Sequence, residues 1–139
     1  MKGLELLEKY PLSATIIREW FLEKMLESLN DASISDEFKE MMKAAGIEDE
    51  KIGILIDVNS RMLLDVFDDN KIFIEVFLYP DDTFTCKIGN QATTQSWKTR
   101  KEAELFAVEA AFEILESTLA EARMNIIGQN GNTGEHYEN

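Results

Sequence analysis

The side chains that could do chemistry in this chain are few, and their spacing argues against most reactions. The single histidine, His136, sits in the polar C-terminal stretch GQNGNTGEHYEN. A body without histidine has no Ser-His-Asp triad, no Cys-His pair and no histidine-bound zinc. Cys86 is the sole cysteine, so an intramolecular disulfide is impossible. It falls in an expected strand and reads as a small core hydrophobe. Neither G-x-x-x-x-G-K-[ST] nor G-x-G-x-x-G occurs, so no phosphate cradle is visible. The acid pairs Asp68-Asp69 and Asp81-Asp82 lack the spacing and central glycine of a calcium loop and read as turn residues. Pro80-Asp81 could open a P-D…[DE]-x-K magnesium nuclease pattern. Its second half would fall on Thr85-Cys86-Lys87, where threonine replaces the required carboxylate. No catalytic, cofactor-binding or metal-ligating residue is assigned, and the expectation is a protein without enzymatic activity or cofactor.

Charge narrows the partners. Of the 139 residues, 14 Lys and Arg face 27 Asp and Glu, a net charge of −13 spread along the whole chain. Such a surface repels nucleic-acid phosphates and anionic lipid. Another protein or a second copy is the expected partner; nucleic acid is disfavoured and no membrane is expected. The candidate partner-binding residues are Ile16 and Trp20. They lie four apart, near the glutamates of their helix and outside its apolar stripe. They either cover a neighbouring element or form an exposed aromatic anchor. The alternative nucleic-acid reading rests on Lys87, Lys98, Arg100 and Lys101, which would have to share one face. A further alternative is an acidic DNA mimic. Met41, Ala45, Gly46, Ile47, Ile52 and Leu55 have roughly the spacing of a helix-turn-helix. Its recognition helix would open on Glu48-Asp49-Glu50, which repels phosphates, so three packed helices explain the spacing better.

The elements that must position these residues centre on Trp97 to Leu119. Thr99 followed by Glu102 is a capping-box pattern. Glu102, Glu109, Glu113 and Glu116 then share one narrow arc, and nearly all else is apolar. Ala103, Ala107, Ala110 and Ala111 with Ile114 should meet a sheet. Leu105, Val108, Phe112, Leu115 and Leu119 should meet helices. Upstream, a short helical arm over the first eight residues is interrupted by Tyr10-Pro11. A second helix spans about Leu12 to Leu29, and a loop Asn30 to Ser33 follows. A third helix is capped by Ser35 and ended by Gly46. Ile52, Ile54, Ile56 and Val58 alternate like a strand, whereas Met62, Leu63, Val66 and Phe67 repeat like a helix. The acids at 48–50 favour two short helices joined at Asn59-Ser60. Lys71–Tyr79 and Phe84–Ile88 read as a hairpin across Pro80 to Thr83, with a third strand over Ala92–Trp97.

Two resemblances follow from these residues. The hairpin, then Arg100-Lys101-Glu102-Ala103-Glu104 and the alanines, resembles the end of a double-stranded-RNA-binding domain, whose last helix begins K-K-x-A-K. Arg100, Lys101 and Ala103 match; Glu104 stands where that family has a phosphate-binding lysine. This resemblance implies a layout, a helix laid on a hairpin. The pattern Trp97-x-Thr99-Arg100-x-Glu102-Ala103-Glu104, with Ala107, Ala110-Ala111-Phe112 and Leu115-Glu116, resembles the C-terminal signature of small uncharacterised proteins of bacteriophages and mobile elements, especially of Bacteroides-type bacteria. It implies a phage or prophage origin and a cytoplasmic accessory role.

The expected protein is thus α+β: N-terminal helices packed with a short antiparallel sheet of two or three strands and a long C-terminal helix. One domain is expected over 1–125, with a disordered polar tail over 126–139. With no apolar run near ~20 residues, no leader-like opening and one cysteine, a cytoplasmic protein is expected.

Overall fold

The computed structural model describes residues 2–28 and 34–138, with the side chains of the last helix described as far as Ile126. Six helices and a three-stranded antiparallel sheet follow in order: α1 (Lys2–Lys9), α2 (Pro11–Ser28), α3 (Asp36–Ala45), α4 (Asp49–Val58), a 3-10 turn (Ser60–Met62), α5 (Leu63–Asp69), β1 (Ile74–Leu78), β2 (Phe84–Ile88), β3 (Gln91–Ala92) and α6 (Arg100–Glu138). This is the expected α+β layout. The expected loop at 30–33 and nearly all of the expected tail lie outside the residues whose side chains are described.

The ambiguous Ile52–Val58 stretch is helical. Ile52, Gly53 and Ile56 are buried while Ile54, Leu55 and Val58 face solvent. That is the one-sided burial of a helix, and the alternating isoleucines are coincidental with it. Asn59 ends α4 and the chain re-enters helix through the 3-10 turn. Ser35 caps α3 by accepting from Phe38 N, and Gly46 at φ +70° ends it. The expected three-helix packing around α3 is not found. No residue of α3 is buried, and Met41 and Leu55 are exposed. Its burial pattern therefore matches neither that packing nor a helix-turn-helix.

The hairpin closes through a three-residue loop. Asp82 N donates to Tyr79 O and Tyr79 N to Thr83 O. Asp82 takes the left-handed conformation at φ +65°, a common last position for such loops. Asp81 Oδ1 accepts from the Thr83 N–H and hydroxyl. The third strand is interrupted. Ala92 pairs with Lys87 and Trp97 with Phe84, so four residues on one side oppose two on the other, and only Gln91–Ala92 is regular strand.

The core lies between the helices and one sheet face. Ala103, Ala107 and Ala111 of α6 are fully buried with Val108 and Phe112, and α6 packs on β1, β2, α2 and α5. The Phe112 ring stacks on Tyr10 at 5.7 Å and meets Phe67 edge-on at 5.5 Å. Helices thus cover the Phe112 side, as expected. Ile114 departs from expectation at 38 % exposed. The short β3 leaves an open groove of about 600 Å³ beside it, also lined by Ile88, Phe106 and Ala110.

Two N-terminal helices have their free N–H groups satisfied from a distance. Gly3 N donates to Asp57 of α4 at 2.7 Å. Leu12 N and Ser13 N donate to the two Glu116 oxygens at 2.9 and 2.8 Å, and Ser13 Oγ donates to Oε2 at 2.9 Å. Glu116 on α6 therefore caps α2, a role its place in the acidic arc did not announce. Glu109 of the same arc pairs with Lys2 at 2.7 Å. Glu116→Ala is expected to lower stability by about 1–3 kcal/mol, because three donors lose their acceptor together. Urea unfolding checks this, with Glu113→Ala on the exposed part of the arc as a near-silent control.

Arg18 ties α2 to α4 by a bidentate pair to Asp49, at 2.7 and 2.8 Å. The hydrogen bonds from Arg18 hold the Asp49 carboxyl below its ordinary value of 3.8. The unfolded chain therefore binds that proton more readily than the folded one. The pair's contribution is complete above pH 3.8 and is lost as pH falls through the depressed folded value. Both side chains are over a third exposed, so solvent screening holds the contribution below about 1 kcal/mol. Asp49→Asn is expected to cost that small amount at pH 7, with the difference shrinking below pH 3.8; guanidinium unfolding at both pH values measures it.

Candidate functional site

Cys86 is buried on the face of β2 that meets α6, and burial pushes its thiol up from the ordinary value. A thiol so held is a weak nucleophile. Among the described residues, no three of His, Cys, Asp and Glu gather as a metal site. His136 lies beyond the described side chains. Among the described residues no helix is long and apolar enough to cross a membrane.

Ile16 and Trp20 are half-buried and pack against the main core. The Trp20 ring meets Phe21 edge-on at 5.2 Å, and the Lys24 ammonium lies 5.7 Å over it. Its indole N–H is buried and has no hydrogen-bond partner among the described residues. The pair covers neighbouring core residues rather than standing free of them.

The four cations are only partly brought together. Arg100 and Lys101, at the start of α6, line a small pocket of about 290 Å³ with Arg61, Asn59 and Glu104. Arg61 was not singled out in the sequence, because only the fold brings the 3-10 turn to α6. Glu104, 6 % exposed, accepts from Arg61 Nη2 at 2.8 Å and lies 3.9 Å from Arg100. The glutamate standing where an RNA-binding lysine would be is therefore a structural tie between α6 and the 3-10 turn. Lys98 is exposed just before the helix. Lys87 is elsewhere: it stands opposite Glu75 on the sheet face turned away from α6.

The rest of the Trp97–Glu104 signature is also structural. Trp97 exchanges both backbone hydrogen bonds with Phe84 and packs on Phe106 at 4.7 Å. Thr99 Oγ1 accepts from Glu102 N at 3.2 Å, the first half of the expected capping box. The Arg100 guanidinium lies 5.6 Å over the Phe84 ring. These contacts seat α6 on the sheet edge.

The largest exposed apolar surface on the sheet belongs to β1 and its flanks. Ile72, Ile74 and Val76 face the core. The alternate residues Phe73, Phe77 and Tyr79 are 52 %, 36 % and 43 % exposed; Leu78, on the face of Ile74 and Val76, is 56 % exposed at the strand's end. Among the described residues β1 is an edge strand, paired on one side only, with β2. Three aromatics on an open sheet face beside an unpaired edge are unusual for a surface with nothing to cover it. The signal was present in the sequence, since both alternating sets of the 72–79 run are largely apolar, with Glu75 the one charge among them. Which set faced out required the position of α6. No protein family, curated protein or solved structure matches this chain.

Proposed function

We propose that this protein is a non-enzymatic, protein-binding accessory factor of phage or prophage origin, working in the cytoplasm. The observation that carries the reading is the exposed surface of Phe73, Phe77 and Tyr79 on one face of an edge strand. Burying the exposed part of each ring against a partner is worth roughly 1 kcal/mol, and aromatic anchors dominate protein interfaces. The net charge of −13 favours a partner with a basic surface over nucleic acid. The half-buried Ile16 and Trp20 are a weaker anchor than the β1 surface, because much of their area is already used on the core. The test is affinity capture from host lysate treated with nuclease, comparing the native chain with a Phe77→Ser/Tyr79→Ser double variant. A partner retained by the native chain and lost by the variant supports the reading. Capture unaffected by the variant overturns the assignment of the surface.

The second reading is nucleic-acid association through Arg61, Arg100 and Lys101, with Lys98 alongside. The clustering of three cations beside the start of α6 favours it, and the carboxylate of Glu104 among them weakens it. It predicts duplex RNA or DNA binding at low salt that falls steeply as salt is raised. Arg100→Glu/Lys101→Glu should abolish that binding.

A further inference from the structure

From the unpaired edge of β1 we infer that the protein binds its partner by strand addition: an extended, apolar segment of another protein, with basic residues at both ends, pairs with Ile74–Leu78. This rests on the protein-binding reading above and adds the mode and chemistry of the partner.

The ladder fixes which backbone groups are available. Gly89 N donates to Phe73 O at one end of the hairpin and Tyr79 N to Thr83 O at the other. Antiparallel ladders alternate, so residues 73, 75, 77 and 79 turn their N–H and C=O toward β2. Ile74, Val76 and Leu78 turn theirs away, to the open edge. Among the described residues, no hydrogen bond to another segment fills that edge. No proline or bulge interrupts β1, and no lysine lies within it to deter pairing. A strand added there would extend the sheet and lay alternate side chains beside Phe73, Phe77 and Tyr79.

Charge selects the occupant. Exposed acids stand at both ends of β1: Asp68 and Asp69 before it, Asp81 and Asp82 after it, with Glu75 between them. Lys71 offsets only part of the first group. A second copy pairing antiparallel would bring the Asp81-Asp82 end of one strand to the end of the other where Asp68 and Asp69 outnumber Lys71. Pairing parallel would set each acid group against itself. Both orientations place like charges together, which disfavours self-association through this edge. A partner strand carrying lysine or arginine at each end meets acid at each end.

The test uses a fluorescein-labelled nine-residue peptide of alternating isoleucine and threonine with two lysines at each end, followed by fluorescence anisotropy with the full chain. Expected is saturable binding that weakens with salt and falls at least about tenfold when alternate peptide nitrogens on one edge are methylated, since several backbone hydrogen bonds are lost together. The same core with glutamate ends should bind at least about tenfold more weakly for the charge reason above. On the protein side, Leu78→Pro removes an outward N–H from an exposed position and leaves the β2 ladder intact; it should weaken binding while circular dichroism stays native. Equal binding of methylated and unmethylated peptides overturns the proposal, and this arm does not depend on whether the proline variant folds. Equal binding of the glutamate-ended peptide also overturns it, as does a concentration-dependent dimer in sedimentation that Leu78→Pro dissolves. If the lysate partner is lost with Phe77→Ser/Tyr79→Ser but kept by folded Leu78→Pro, protein binding stands and strand addition fails.

Discussion

Phe112→Ala is expected to destabilise the protein by about 3–5 kcal/mol, the range for an aromatic deleted from a packed core. Phe112 is fully buried and faces three elements at once. Tyr10, from the junction of α1 and α2, stacks on its ring, and Phe67 of α5 meets it edge-on. Ser13 of α2 lies against the Phe112 carbonyl at 3.4 Å. Truncation removes the ring's apolar burial and both aromatic contacts, and leaves a cavity that three helices must share. Collapse into that space is hindered because α2 is pinned one turn further along α6 by Glu116. Equilibrium urea unfolding should show the lower midpoint, with the slope unchanged if the same surface is exposed on unfolding. Phe112→Leu, which keeps most of the volume, should recover much of the loss. A change below about 1 kcal/mol for the alanine variant would mean that the ring is not the joint between these helices.

Gly53→Val is expected to cost about 3 kcal/mol through overpacking. The helices α1 and α4 cross in backbone contact at Gly3 and Gly53. A Cβ on Gly53 would lie 2.8 Å from Leu4 N and 3.1 Å from Leu4 Cα. A Cβ on Gly3 would lie against the Gly53 backbone even more closely. The obstruction is main chain, which cannot rotate aside as a side chain would. Helix propensity acts in the opposite direction, since valine is a somewhat better helix former than glycine. The clash exceeds that gain, so α1 must move off α4. Moving it disrupts the Gly3–Asp57 hydrogen bond and exposes Leu6 and Leu7, which are buried in the core. The diagnostic is where the damage falls. Hydrogen exchange should quicken in α1 and α4 well before α6, because the sheet and α6 keep their own contacts. Gly46→Val, at a position with open space around it, tests backbone conformation instead of crowding: its strain comes from φ +70°.

Much of this fold was legible in the residues because the signals were local. The wide apolar arc of α6 required cover on two sides, and Ala103, Ala107 and Ala111 are fully buried as that demanded, whereas Ala110 borders the open groove. Thr99 and Ser35 announced helix starts, Gly46 a stop, and Pro80 to Thr83 a hairpin loop, since each works through its own neighbours. The limits of such signals are equally physical. Alternating isoleucines from Ile52 to Val58 fit a strand as well as a helix until Gly3 is brought against Gly53. The spacing through α3 suggested packed helices, yet tertiary contacts leave α3 without a buried residue.

The candidate surfaces depended on tertiary structure still more. Residue types alone determined that the described body lacks histidine chemistry and that the chain is strongly acidic. Only the fold decided that Glu116 caps a helix about a hundred residues away in sequence, that Glu104 ties Arg61 to α6, and that Lys87 stands apart from Arg100. It likewise decided that Phe73, Phe77 and Tyr79 face out. Glu75 biases one set of β1 toward solvent, yet the three aromatics of that set leave either face apolar enough to bury. One helix, α6, chooses between them, because its alanine face lets it approach the side carrying Ile72, Ile74 and Val76. Local periodicity is a property of the chain, whereas the face it presents to solvent is set by what packs against the other.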